Sequence, residues 1–239
     1  MTVLITGGEN SLSLELKKIY SNALIPTKEL DLSNKANIES FFKKNKFDTI
    51  IHNESLLNVR LCEDEKELAL KVNVTHTKNL VDVLQNKNCN IQFLHISTPC
   101  IFDGFDGMYA ESSPAKPVNF YGQTRLMAEK EVSKLSNYSI LRTNYVSKEK
   151  WPYPKAFSDR FGTYLFPKQV AQGIYDIQTD GKKGIIHIVG DRKISMFELA
   201  KIMTPEIQSM TIDDYFGPPL TMDMSLDSKK WKKYTISIE

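Results

Sequence analysis

Val3-Leu4-Ile5-Thr6-Gly7-Gly8-Glu9-Asn10-Ser11-Leu12-Ser13 is the stretch on which the fold turns. An unbroken apolar run is what a strand buried on both faces of a parallel sheet looks like. It leads into two glycines, and a segment of helical period follows from Leu12 to Tyr20. Such a strand, turn and helix begins a doubly wound α/β domain, which binds ligands at the carboxyl ends of its strands. A dinucleotide turn needs small residues so that the backbone can bend sharply, approach a pyrophosphate and aim helix N–H groups at it. Gly7 meets the first of these positions, while Asn10 and Ser13 stand where further glycines are expected. Asn tolerates a left-handed backbone and Ser is small, so the turn itself is still expected.

Outward from this turn the same alternation repeats. Apolar runs at Thr49-Ile50-Ile51, Ile91 to Ile96, Ser139-Ile140-Leu141 and Ile185 to Val189 are separated by helix candidates at Asn37 to Asn45, Glu63 to Gln85, Tyr121 to Leu135 and Pro167 to Thr179. Repeated βαβ units predict a Rossmann-like doubly wound parallel sheet with helices on both faces. Ser195 followed by Glu198 fits a capping box and opens a later helix. The expected organisation is a dinucleotide-binding domain over 1–145, continued by 167–190. A small, shortened C-terminal substrate lobe is expected from two segments, 146–166 and 191–239.

The chain has 239 residues, 41% hydrophobic and 25% charged, an ordinary globular composition that excludes collagenous, repetitive or disordered classes. Basic and acidic residues number 31 and 29, a net charge of +2 with no basic block, so neither nucleic acid nor a membrane surface is an expected partner. No apolar stretch reaches the ~18 residues that span a bilayer, and no signal pattern follows Met1; the expected location is the cytoplasm. Cys62, Cys89 and Cys100 form no CxxC pair and read as reduced thiols. The four histidines lack metal-ligand spacing, and His95 and His187 read as core residues.

Two constellations carry chemistry. Tyr121 and Arg125 lie four apart at the start of a helix and so share a face. A cation beside a phenol favours phenolate and is expected to lower the Tyr pKa. Ser97 and Thr98 end a central strand, where a hydroxyl can hydrogen-bond a carbonyl oxygen as a Tyr protonates it. The plainer alternatives are a solvated Tyr/Arg face and strand-end hydroxyls bonded to local backbone.

Beyond these residues, the order of segments LITGG, DLSN (31–34), FDTIIHN (47–53), VRLCE (59–63), KVNVTHTKNL (71–80), STPCIFDG, YAESSPAKPVNFYGQTR, LRTNYV (141–146) and PLTMDMSLD resembles the extended short-chain dehydrogenase/reductases. Within them it resembles most the dTDP-4-dehydrorhamnose reductase family. The resemblance implies NADP(H) or NAD(H) as cofactor, with Thr98 orienting the carbonyl, Tyr121 as acid and Arg125 in the place of a lysine. It also places cofactor contacts at Gly7, Asn10, Ser11, Leu12, Asp31, Leu32, Asn53, Glu54, Ser55, Asn73, Ser97, Tyr121, Arg125 and Thr143. No metal is implied.

Several departures from the family fall on the site. Arg125 replaces a lysine, Asn53-Glu54 replaces two alanines, Pro99-Cys100 replaces Asp-Tyr, Arg60 replaces an Asp, and the stretch from Val146 to Arg160 is short. The resemblance implies an NAD(P)H-dependent reductase of a nucleotide-linked keto-sugar. Against it stand a non-catalytic binding or regulatory subunit and an NAD-dependent epimerase or dehydratase. Leu68, Val72, Leu80 and Leu84 form a helical stripe that either faces the core or, as in the superfamily, pairs two subunits into a homodimer.

Overall fold

The computed structural model describes residues 1–86 and 90–237; Cys89 lies outside them. In chain order the elements are β1 (Val3–Thr6), α1 (Ser11–Ile19), α2 (Lys35–Lys44), β2 (Thr49–His52), α3 (Val59–Asp64), α4 (Lys66–Leu70), a π-helical turn (Lys71–Thr75) and α5 (His76–Asn86). There follow β3 (Gln92–Ser97), a 3-10 turn (Pro99–Ile101), α6 (Phe120–Val132), β4 (Tyr138–Thr143), β5 (Lys155–Phe157), β6 (Phe161–Gly162) and α7 (Pro167–Thr179). The last are β7 (Gly184–Ile188), β8 (Ile194–Ser195), α8 (Met196–Met203), β9 (Gln208–Met210), a 3-10 turn (Ile212–Asp214) and β10 (Asp223–Met224).

Five parallel strands form the main sheet in the order β1-β2-β3-β4-β7. Leu24 bridges to Leu4 on the free side of β1, a remnant of a second strand. The chain therefore builds on one side of β1 at Leu24 and then crosses to the other at β2, which makes the gap between β1 and β2 the switch point where a ligand crevice opens. Alternate residues of each strand enter opposite layers. Ile5, Ile51, Leu94 and Leu141 pack with Leu12 and Leu16 of α1 and Val170 and Ile174 of α7. Leu4, Ile50, Phe93 and Ile140 pack with Ile38, Leu80 and Val132 of α2, α5 and α6. Each such side chain, removed fully from water, contributes roughly 1.5–3 kcal/mol, which explains why the apolar runs decide the fold.

The helix predicted over Glu63 to Gln85 is instead broken. Glu65, at φ −118° and ψ 63°, separates α3 from α4, and the π-helical turn follows. That extra residue per turn lets Asn73 point inward, where Leu56 and Thr124 bind its amide. The stripe is consequently split: Leu80 and Leu84 are core residues, whereas Leu68 is 40% exposed. The segment 229–233 is not helical; Lys229 and Lys233 pair with Asp227 and Lys232 with Asp176.

Residues from both later excursions combine beside the sheet. β6 pairs antiparallel with β8 and parallel with β10, and β5 pairs with β9. Ser195 caps α8, accepting from Glu198 N while Glu198 returns to Ser195 N.

Candidate active site

A cleft of about 760 Å³ opens at the carboxyl ends of β1 to β4. Its near wall is the turn after β1. Gly7 and Gly8 have φ of 95° and 68°, and a Cβ on Gly7 would lie 2.8 Å from the main chain of Asn53 and Glu54. Both the left-handed backbone and the close approach therefore demand glycine at position 7. Asn10 is extended and caps α1: its Oδ1 accepts from Leu12 N (3.1 Å) and Ser13 N (3.0 Å). Asn53 Nδ2 donates to the same oxygen at 3.1 Å and to Ser13 Oγ at 3.5 Å.

The far wall carries the hydroxyls. Asn119 caps α6 through Gly122 N, which sets Tyr121 at the first turn, facing the end of β3. Thr98 accepts from Cys100 N at 3.2 Å and shares a hydrogen bond with the Tyr121 phenol. Burial pushes the Tyr121 pKa up to about 12 and outweighs the Arg125 guanidinium, which favours the phenolate, so the expected lowering is overturned. The guanidinium of Arg125 is itself buried: Nη2 donates to Ile96 O and faces His95 Nε2 at 3.4 Å, and Nη1 reaches Glu54 O at 3.5 Å. A lysine's single ammonium cannot make this fork of contacts to two strand ends.

The cleft brings together Gly7, Asn10, Ser11, Leu32, Asn53, Glu54, Ser55, Ser97, Thr98, Tyr121, Arg125 and Thr143 from the sequence reading. Leu12, Asp31 and Asn73 do not line it. Leu12 is a core residue, Asp31 accepts from Ser33 N and Oγ, and Asn73 holds the loop after β2 against α6. The Ser97 hydroxyl is engaged by Glu129 at 2.6 Å. Glu54, expected as a carboxylate facing an anionic ligand, turns toward His76 Nδ1 at 3.1 Å. Sequence reasoning passed over Tyr145, two residues beyond Thr143, whose phenol lines the cleft and bonds the Asn53 side chain. Its place just past the end of β4 was the available signal. Burial raises its pKa to about 12.

Beneath lies a buried polar layer. His52 Nδ1 meets Thr6 Oγ1 at 2.6 Å, its Nε2 meets Thr77 Oγ1 at 2.9 Å, and its ring stacks on His95 with centroids 5.3 Å apart. Burial holds the His52 pKa down at about 3 and that of His187 in β7 at about 4. Both titrate near 6.5 when unfolded, so between pH 6.5 and 4 the unfolded chain binds more protons and stability falls as pH falls. The loss is up to about 1.4 kcal/mol per pH unit for each histidine. Urea unfolding midpoints at pH 7 and pH 5 are expected to differ in that direction; equal midpoints contradict it.

The switch-point cleft with a glycine turn on one wall and a Thr/Tyr pair on the other defines a Rossmann-like α/β protein with a ligand crevice at its strand ends. The chain belongs to the RmlD substrate binding domain family, whose model matches residues 1–160. A dTDP-4-dehydrorhamnose reductase of Aggregatibacter actinomycetemcomitans is 32% identical over 151 residues, covering 60% of this chain and 51% of that protein. The chain thus spans about half the length of that relative. A hypothetical dTDP-4-dehydrorhamnose reductase from Sulfolobus tokodaii superposes with a TM-score of 0.85 at 26% identity, covering 100% of this chain and 98% of that one. The fold is also that of a Bacillus anthracis dTDP-4-dehydrorhamnose reductase in complex with NADP, with a TM-score of 0.85, 20% identity, and coverage of 94% and 89%.

Proposed function

We propose that the protein is an NAD(P)H-dependent reductase of a nucleotide-linked keto-sugar, similar to dTDP-4-dehydrorhamnose reductase. The observation that carries this reading is the meeting of Thr98, Tyr121 and Arg125 in one cleft with the glycine turn. Its residues fit a dinucleotide. Thr143 Oγ1 and Arg125 Nε, both on cleft-lining residues, are buried without a hydrogen-bond partner among the described residues. Buried polar atoms rarely stay unpaired in a finished site, so both call for a ligand.

Gly8 and the first amides of α1, Ser11 to Ser13, which lie behind the Asn10 side chain, would hold the pyrophosphate, Leu32 and Ser55 the adenosine end, and Thr143, Tyr145 and Arg125 the nicotinamide end. When bound, the reduced nicotinamide supplies a hydride. Tyr121 holds the proton that the carbonyl oxygen takes up, and Thr98 fixes that oxygen within reach of the phenol. The Glu54 carboxylate is engaged by His76 Nδ1 at 3.1 Å.

Further parts of the proposal are a cytoplasmic location, a division into a dinucleotide domain and a smaller substrate lobe, and a homodimer. Leu61 and Leu68, 36% and 40% exposed on α3 and α4, support the last; sedimentation of the purified protein tests it. Among the described residues no helix is long and apolar enough to cross a membrane.

The deciding experiment is calorimetric titration with NADPH and with NADH. Micromolar binding of either supports the reading, followed by turnover of a dTDP-linked 4-keto sugar. No binding of either up to millimolar concentration sinks it.

A further inference from the structure

The N-terminus of α1 is already partly filled from within. A helix start offers unpaired N–H groups and a partial positive charge, which is why phosphates settle there. Here Asn10 Oδ1 takes Leu12 N and Ser13 N, and the same oxygen takes a third donor, Asn53 Nδ2. Asn53 also bonds the Tyr145 phenol, so one run of side chains links the ends of β1, β2 and β4 along the cleft. Neither Asn10, at φ −141°, nor Asn53 is required by backbone conformation. Independently, the same cleft holds the unpartnered Thr143 Oγ1 and Arg125 Nε, on residues 4% and 3% exposed, which points to a ligand lying along it.

We infer that Asn10 and Asn53 form an internal latch that competes with a dinucleotide's pyrophosphate for the amides of α1, so that this chain binds its cofactor more weakly than its cleft would otherwise allow. This rests on the cofactor reading above. Oδ1 is an acceptor in the place where phosphate oxygens would accept, and both cannot take the same N–H groups. Binding therefore requires the Asn10 side chain to swing away and Asn53 to lose its acceptor. The lost contacts are subtracted from the affinity, as in any equilibrium between a closed and a binding-competent state.

The test compares wild type, Asn10→Gly and Asn53→Ala by calorimetry with NADPH and thermal melting without ligand. Glycine is nearly as good an N-cap as asparagine, so the variant keeps α1. Glycine gives up little at the cap itself, so the gain comes mainly from freeing the Asn53 bond, and binding should tighten about threefold to fivefold in Asn10→Gly. Asn53→Ala should tighten it about threefold. Melting temperature without ligand should drop slightly in both. If wild type binds and both variants bind equally or more weakly, the latch is refuted and the cofactor reading stands. If only the variants bind, the latch holds and accounts for the weak wild-type site. If none binds, both inferences fall together.

Discussion

Tyr121→Phe is expected to lower turnover by about 100-fold to 10,000-fold, the range a positioned acid contributes, and to change dinucleotide affinity by less than about twofold. Tyr121 is 6% exposed and belongs to the cluster of Cys100, Phe166 and Met224, so phenylalanine keeps the packing and removes the hydroxyl that carries the proton and bonds Thr98. The pKa near 12 adds a direction to this expectation. A group acting as acid must be protonated, and Tyr121 stays so across pH 6 to 10; the reductive rate should then show no loss of this acid over that range. The reverse reaction needs phenolate, whose share grows tenfold with each pH unit below the pKa, so oxidation should climb with pH. Initial rates in both directions on wild type and Tyr121→Phe check this. A variant keeping a tenth or more of wild-type turnover would remove Tyr121 from the reaction.

That expectation was legible in the chain because Tyr121 and Arg125 sit four apart on a helix whose start follows a strand ending in Ser97 and Thr98. Period and apolar runs are local properties, and they placed all five strands of the main sheet and α7 to within a residue or two. What failed was the choice of partners. Arg125 reads as a cation serving the phenol, but its guanidinium is spent on Ile96 O, Glu54 O and His95, contacts 29 to 71 residues away in sequence. Glu54 reads as a charge facing the ligand until His76 is found beside it. The π-helical turn at Lys71–Thr75 has no sequence period of its own; it exists because Asn73 finds Leu56 and Thr124. Such features depend on distant packing, and a reading of neighbours cannot reach them.

The same dependence makes Glu129 and Arg142 the place to test what holds the site together. Arg142 Nε and Nη2 make a two-pronged pair with Glu129 at 3.0 and 2.8 Å, and both side chains are 4% exposed. Glu129 also accepts from Ser97 Oγ at 2.6 Å, so one carboxylate ties α6 to the ends of β3 and β4, which present Tyr121, Thr98 and Thr143 to the cleft. Removing one partner leaves the other charge buried and unpaired. Glu129→Leu or Arg142→Leu should therefore each cost about 3–5 kcal/mol, a fall of roughly 6–20 °C in melting temperature for a chain of this size. A buried pair is costly to desolvate, so the double variant should recover most of that loss, since two apolar side chains leave no charge behind. Stability restored without register is then the informative state. With Ser97 unpaired and α6 free to shift against β3, turnover in the double variant should remain well below wild type although it folds as well. Losses under about 1 kcal/mol in the single variants, the value of an exposed pair, would mean that water reaches the pair and that it does not set the geometry of Thr98 and Tyr121.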